Sequence, residues 1–363
     1  MKSIQGLADD DKLTGEEPKA VPNKLRRWGP GGWQLWLGVV FSLFFLILAL
    51  RNINYLETAD ALRKVKVLIL CLAVGSYILS ILAKAARWQL LLAVHKAPSF
   101  GRAISIYSIG QMVNAFFPAH LGEFARAYLM GEAESDSKVF VLGTVAVEKI
   151  ADLLFLLISI TLLLSQMILP NWLVSPARGS ALVMLILVPI FVLLAWQRNL
   201  VLRLAEWAIH FVPVRWRGWL LRQVQNGLSS LDSVRRPGML AGLIVLSFIV
   251  CFLSALTNYL VFLALGLPLS PITALLLLVV LQVGTEIPSS PGGIGVFQYL
   301  IILTLSFFAV DKNVALGYSV LLYLVIYLPI AIIGVYCLWR EKITWKKLDD
   351  AAAMLKRIKK KPI

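Results

Sequence analysis

The chain has 363 residues, of which 59% are hydrophobic and only 15% charged, with a mean hydropathy of +0.80. A water-soluble globule of that composition would expose large apolar surface, so the sequence reads as an integral membrane protein and excludes a disordered regulator, a coiled coil, a disulfide scaffold and a soluble enzyme with a membrane tail. The net charge of +15 marks topology and not nucleic acid, because Lys and Arg gather between the apolar blocks.

Residues 1–32 are polar and carry Asp9, Asp10, Asp11, Glu16 and Glu17, so they read as a cytoplasmic tail and not as a cleavable signal peptide. Residues 33–338 read as a membrane domain. Apolar runs approaching the roughly 20 residues that cross a bilayer occupy 33–50, 67–83, 139–169, 180–197, 239–265, 271–287, 292–309 and 314–338. The stretch 103–130 is also apolar, but Pro118, Gly122, Glu123 and Arg126 interrupt it, which predicts an element that dips into the membrane and returns.

Within 198–238, Trp207, Trp216 and Trp219 alternate with Arg203, Arg215, Arg217 and Arg222, a pattern that suits a cytoplasmic segment lying in the headgroup plane. The tail 339–363 is again basic, ending in Lys356, Arg357, Lys359, Lys360 and Lys361, and is drawn to an anionic inner leaflet. By the positive-inside rule both termini face the cytoplasm of a multi-pass protein of the cell membrane, so the crossings are even in number. The expected fold is all-α and polytopic, with about eight transmembrane helices, or six if 271–309 is a second re-entrant pair.

Two interruptions share the pattern Pro-x-x-(Leu/Ile)-Gly-x-Phe: Pro118-Ala119-His120-Leu121-Gly122-Glu123-Phe124 and Pro291-Gly292-Gly293-Ile294-Gly295-Val296-Phe297. Paired broken helices in the two halves of a chain point to a midplane binding site and an inverted repeat. Taken singly, each is also what a proline at the first helical position and glycines at close helix contacts produce. Ser290-Pro291 adds a helix start whose Gly292, Gly293 and Ile294 amides suit a phosphate.

Ionisable residues lie beside both breaks. Glu148 and Asp152 are four apart and share one helix face with Lys149 alongside, Glu123 and Arg126 are three apart, and Glu286 sits two before Pro288. Such groups face a bundle interior and pair with one another, for example Arg126 with Glu148 or Asp152. They equally form a polar cleft in which Arg126 holds a phosphate, with Asn114, His120, Gln298, Gln111, Asn258, Gln282 and Thr285 available as lining. Arg87 is expected to snorkel to the interface. With three scattered histidines and no nucleophile–base order, the sequence predicts no catalytic residues, no metal site, no cofactor and no nucleic-acid partner.

The runs from Asn114 to Arg126, from Val147 to Asp152 and from Ile287 to Val296, in that order, resemble the lysylphosphatidylglycerol synthase transmembrane (flippase-like) family over most of residues 33–338. The resemblance implies a bundle of about eight spans with re-entrant elements, and implicates Asn114, Pro118, Gly122, Glu123, Arg126, Glu148, Asp152, Pro291, Gly292, Gly293 and Gly295. His120 and Lys149 stand where the family often has arginine, and Gln298 near where it often has glutamate. The family's bifunctional members carry a soluble aminoacyl-transfer domain, and this chain, ending at Ile363, resembles the stand-alone members. A flippase-like transporter of phospholipid or polyisoprenoid-linked headgroups, anionic or phosphate-bearing, is the expectation. The alternative is a non-transporting partner of a lipid or cell-envelope biosynthetic enzyme in the membrane.

Overall fold

The structure, a computed structural model, describes residues 32–51, 53–117, 121–166, 214–285 and 290–343, with isolated positions between 179 and 207. The expected span 180–197, the tail 1–31, the end of the basic tail from 344, and Pro118, His120 and Glu286 lie outside the described residues or in the sparsely described stretch. The described residues form helices and turns, with no strand among them.

Among the described residues three helices carry the length and apolarity of full spans: α3 (Val67–Leu92), α9 (Pro237–Ala264) and α12 (Lys312–Arg340). At 1.5 Å per residue each exceeds the roughly 30 Å of a hydrocarbon core. Pro237 opens α9 in its first turn, where no intrahelical N–H is needed, and Asp311 caps α12 by accepting from the amides of Asn313 (2.8 Å) and Val314 (3.3 Å). The other elements are α1 (Gly32–Leu50), α2 (Tyr55–Arg63), α4 (Phe100–Phe116), α5 (Leu121–Ala133), α6 (Lys138–Gln166), α7 (Val214–Ser229), α8 (Asp232–Arg235), α10 (Pro271–Thr285), a 3₁₀ turn at Pro291–Gly293 and α11 (Val296–Ser306).

Helices α3 and α9 run antiparallel, and small and hydroxyl side chains let them approach closely. The Lys66 amide meets the Ala264 carbonyl (2.9 Å) at one end; Ser76 donates to the Leu253 carbonyl (3.0 Å) and Ser80 pairs with Ser254 (3.2 Å) further along. Their ends define two faces of the bundle: a first face carrying Leu92 and Pro237, and a second carrying Lys66 and Ala264.

The broken stretch 103–130 is a helical hairpin. Helices α4 and α5 have 17 and 13 residues, about 25 and 20 Å, too short to cross. They touch at two glycines, so closely that a Cβ on Gly122 would lie 1.9 Å from the Gly110 carbonyl oxygen. Both outer ends return to the first face, where Lys96 (2.9 Å) and Arg102 (2.6 Å) close on Glu134.

The runs 271–287 and 292–309 also form a hairpin and not two crossings, because α10 and α11 have only 15 and 11 residues. They meet where a Cβ on Gly284 would strike Leu300 at 2.0 Å. Their outer residues Ile272 and Phe308 pack together against Leu156, Ile160 and Leu163 of α6. Since α9 ends on the second face just before Pro271, this hairpin enters opposite to the first. The two tips touch: a Cβ on Gly292 would stand 3.5 Å from the Ala115 carbonyl oxygen.

One apolar cluster, built on Trp88, Tyr107, Ile109 and Phe140, surrounds the first hairpin, and a second, built on Phe262, Phe297, Ile301 and Tyr318, surrounds the other. Tyr77 of α3 and Ile326 of α12 pack against both. Helix α1 reaches the second face, where Lys312 donates to the Leu48 carbonyl (3.4 Å), and the chain then turns through 82° into α2. The start of the 198–238 segment is only sparsely described. Its later part packs on α6, where Gly143 leaves room for Ser230.

Candidate functional site

Helices α3, α5 and α6 converge on four buried or half-buried charges. Arg87, 1% exposed, donates to Glu148 Oε1 (3.1 Å), Asp152 Oδ1 (2.6 Å) and Ser247 Oγ (3.1 Å). Arg126 donates through Nη2 to the other oxygen of the same carboxylate, Glu148 Oε2 (2.6 Å). Glu148 thus bridges two arginines, one oxygen to each, while Asp152, one turn along α6, reaches Arg87 alone among the described partners. The four-residue spacing places both carboxylates toward α3.

The expectation that Arg87 snorkels to the interface is overturned. Helix α3 continues to Leu92 instead of ending near 83, so Arg87 lies within it. Helical Cα–Cβ bonds lean toward the N-terminus, which for α3 is away from the nearer first face and into the bundle. There two carboxylates meet it. The pairing of Arg126 with Glu148 is the arrangement that the buried charge allowed from sequence.

Arg126 is held in one pose by groups that periodicity does not reveal. Its stem crosses α4 at Gly110, where a Cβ would lie 2.3 Å from Arg126 Cγ. Its guanidinium carbon sits 4.2 Å from the Trp88 ring centroid and 4.3 Å from that of Tyr107, an arrangement in which planar guanidinium stacks on π faces. Trp88 is itself fixed by donating Nε1–H to Thr144 (3.2 Å). The Nε atoms of both arginines are buried without a hydrogen-bond partner.

At the rim of this cluster Lys149 pairs with Glu123 at 3.0 Å, and the Asp152 side chain is 37% exposed. The Asn114 side-chain oxygen accepts from the Gly122 amide (2.7 Å), closing the tip of the first hairpin. Glu123, Asn114 and Arg126 therefore belong to one local structure with Glu148 and Asp152.

The second tip is built from glycines with positive φ, +74° at Gly292, +64° at Gly293 and +94° at Gly295, a region that side chains with a Cβ rarely enter. At Gly295 a Cβ would also strike the Ser42 carbonyl oxygen at 2.2 Å. The expected phosphate cradle is partly spent within the chain: the Gly293 amide donates to the Ser290 carbonyl (2.9 Å) and the Gly295 amide to Gln298 Oε1 (2.7 Å). Gln298 is accordingly a cap for α11, and Ser42 of α1 accepts from the Ser290 amide (2.7 Å). Pro291 lies in the 3₁₀ turn. Beside Gly292, Tyr323 stacks on Tyr327 with centroids 4.0 Å apart, and Phe297 stands edge-on to both.

Sequence reasoning missed Gly110, Trp88, Tyr107, Ser247 and Ser42. The one legible signal among them was the Arg87-Trp88 pair; a lone glycine in an apolar stretch announces nothing about the side chain that will cross it.

Comparison with known proteins places this architecture. The chain is 27% identical over 226 residues, 61% of its length, to UPF0104 membrane protein MJ1078 of Methanocaldococcus jannaschii, of which the match covers 91%. It is 22% identical over 294 residues, 77% of its length, to a UPF0104 membrane protein of Methanothermobacter thermautotrophicus, with 87% of that protein covered. Residues 35–334 match the family described as lysylphosphatidylglycerol synthase TM region, which takes in both hairpins and the four-charge cluster. The chain is a multi-pass membrane protein, and it belongs to the lysylphosphatidylglycerol synthase TM region family.

Proposed function

We propose that this protein moves the polar headgroup of a lipid between leaflets, along the seam where the two hairpin tips meet, while the lipid tails stay in the bilayer. The observation that carries this reading is the meeting of two broken helices, entering from opposite faces, beside buried charge. Backbone that leaves the helical ladder at membrane depth is tolerated where protein or a polar passage covers it, and opposed broken helices are how transporters build a midplane site.

The residues divide the work. Arg87, Arg126 and Glu148 form a fixed polar floor, because Glu148 is held by both arginines and Arg126 by two rings. Asp152, Glu123 and Lys149, more open, meet the headgroup. Beyond them Tyr77, which packs against both apolar clusters, and the Tyr323–Tyr327 stack continue the line of polar groups toward the second tip. The first face, carrying α7 and the start of the basic tail, is the cytoplasmic one on this reading. The reading is one of transport, with no chemical step.

Purified protein in liposomes carrying a headgroup-labelled phospholipid supplies the test. A membrane-impermeant quencher reaches about half of the label when lipid stays in its leaflet; wild type is expected to raise that fraction, and Arg126→Ala and Asp152→Asn to lower the rate at least tenfold. Unchanged rates in folded variants would remove these residues from the pathway. No movement in wild type, with a biosynthetic enzyme retained through purification, would favour the partner role.

A further inference from the structure

We infer that Lys84 is a ligand-binding residue of this protein, and that the site it completes selects a lipid whose headgroup carries a phosphodiester and no compensating amine. The inference rests on the transport reading for the ligand's being a lipid. Its chemistry comes from charge balance.

Lys84 lies eight residues from the end of α3, about 12 Å along the helix from the first face at a helical rise of 1.5 Å per residue. On that helix it follows Tyr77 and Ile81 and precedes Trp88 at spacings of three and four, so it belongs to the face packed into the bundle and not to the lipid-facing face of Leu72 and Leu79. Snorkelling offers no escape, since its stem leans toward the distant second face. One turn further along the same face stands Arg87, paired with Glu148 and Asp152 of α6, where Lys149 adjoins Glu148. Yet, unlike those four, it makes no hydrogen bond and no ion pair among the described residues, and it is half-buried.

Among the described residues of the cluster, four cations (Lys84, Arg87, Arg126, Lys149) stand with three carboxylates (Glu123, Glu148, Asp152). The carboxylates are engaged by the other cations: Glu148 by both arginines, Asp152 by Arg87, and Glu123 by Lys149. Lys84 is the cation in excess. An uncompensated ammonium at this depth is costly, and an anion beside it removes the cost. A monoanionic phosphodiester neutralises the site. A zwitterionic headgroup brings its own ammonium into a cluster whose described carboxylates are each already paired with a cation, and leaves the excess charge where it was.

The experiment uses the full-length protein in detergent micelles, measuring retention of phosphatidylglycerol against phosphatidylethanolamine by native mass spectrometry, followed by the liposome assay with both lipids. Wild type is expected to prefer phosphatidylglycerol at least about tenfold, as for loss of one charged hydrogen-bonding partner. Lys84→Gln is expected to bring the ratio near one, and Lys84→Arg to keep the preference. Because Lys84 makes no hydrogen bond or ion pair with a described residue, Lys84→Gln is expected to unfold no earlier than wild type; earlier unfolding would make the residue structural. A preference surviving Lys84→Gln would overturn the proposal. Inorganic phosphate at matching concentration is expected to leave lipid retention unchanged, and full displacement would overturn the lipid assignment in favour of free phosphate. Retention that depends on Lys84 without movement in liposomes would sink the transport reading and keep this site; movement of both lipids at equal rates in wild type and Lys84→Gln would do the reverse.

Discussion

At the residue scale the central feature is one carboxylate shared by two arginines. Removing one member of a buried ion pair leaves an uncompensated charge and costs about 3–5 kcal/mol in soluble proteins. Glu148→Gln removes the counter-charge that both arginines share and is expected to lower the melting temperature strongly. Asp152→Asn affects Arg87 alone at a 37% exposed side chain and is expected to cost less. Thermal unfolding in one detergent gives the order, and equal losses would contradict the bridging role. Gly110→Ala is a sharper probe, because the new methyl would sit 2.3 Å from Arg126 Cγ. It is expected to cost about 1–3 kcal/mol, as overpacking does, and to slow lipid movement although no charge has changed. The carboxylates, the arginines and their pairing were legible in the sequence from charge at membrane depth. The stacking of Arg126 between Trp88 and Tyr107 was not, since it joins three helices and rests on the absence of a side chain at Gly110.

At the element scale, two features of each hairpin make it re-entrant: helices too short to cross, and outer ends held together. For the first hairpin the clasp is ionic. Hydrogen bonds from Arg102 and then Lys96 hold the Glu134 carboxyl below the usual carboxylate range. A folded-state value below the unfolded one means that the clasp contributes fully above about pH 4.3, the ordinary glutamate value, and that the contribution is lost as pH falls through the folded value. Wild type is therefore expected to lose more thermal stability than Glu134→Gln when acidified below about pH 4, while above pH 5 the difference between them stays constant; parallel acid profiles would dismiss the clasp.

Sided labelling checks the hairpins themselves. Single cysteines replacing Glu132 and Arg102 are expected to react with an impermeant maleimide from one side of the membrane, and those replacing Ser270 and Val310 from the other, in a background without Cys71, Cys251 and Cys337. Labelling of Arg102 and Glu132 positions from opposite sides would make 103–130 a crossing. The break at Pro118–Gly122 announced the first hairpin in the sequence. The second stayed ambiguous because 271–309 is apolar throughout, and only the helix lengths of 15 and 11 residues separate a hairpin from two spans.

At the scale of the whole molecule, the two halves each contribute a hairpin, and the hairpins enter from opposite faces. The shared Pro-x-x-(Leu/Ile)-Gly-x-Phe pattern marked both tips, but the tips are not chemically alike. The first closes through Asn114 on the Gly122 amide and lies against the charged cluster; the second closes through Gln298 and Ser42 and lies against aromatic rings. A sequence motif specifies where the backbone breaks, whereas the partners of the freed backbone groups come from elements far away in the chain, which is why Ser42 was not foreseen. The asymmetry gives the proposed path a charged end and a tyrosine-lined end.

The most direct measurement of the central claim is a reversible tether between the tips. Cysteines replacing Phe116 and Ile294, exposed side chains beside the two tips, joined by a short thiol-reactive linker that a reductant cleaves, hold together the two segments between which the headgroup is proposed to pass. Lipid movement in liposomes is expected to stop on tethering and to return on reduction, with each single-cysteine variant unaffected by the linker. Undiminished movement in quantitatively tethered protein would contradict passage between the tips.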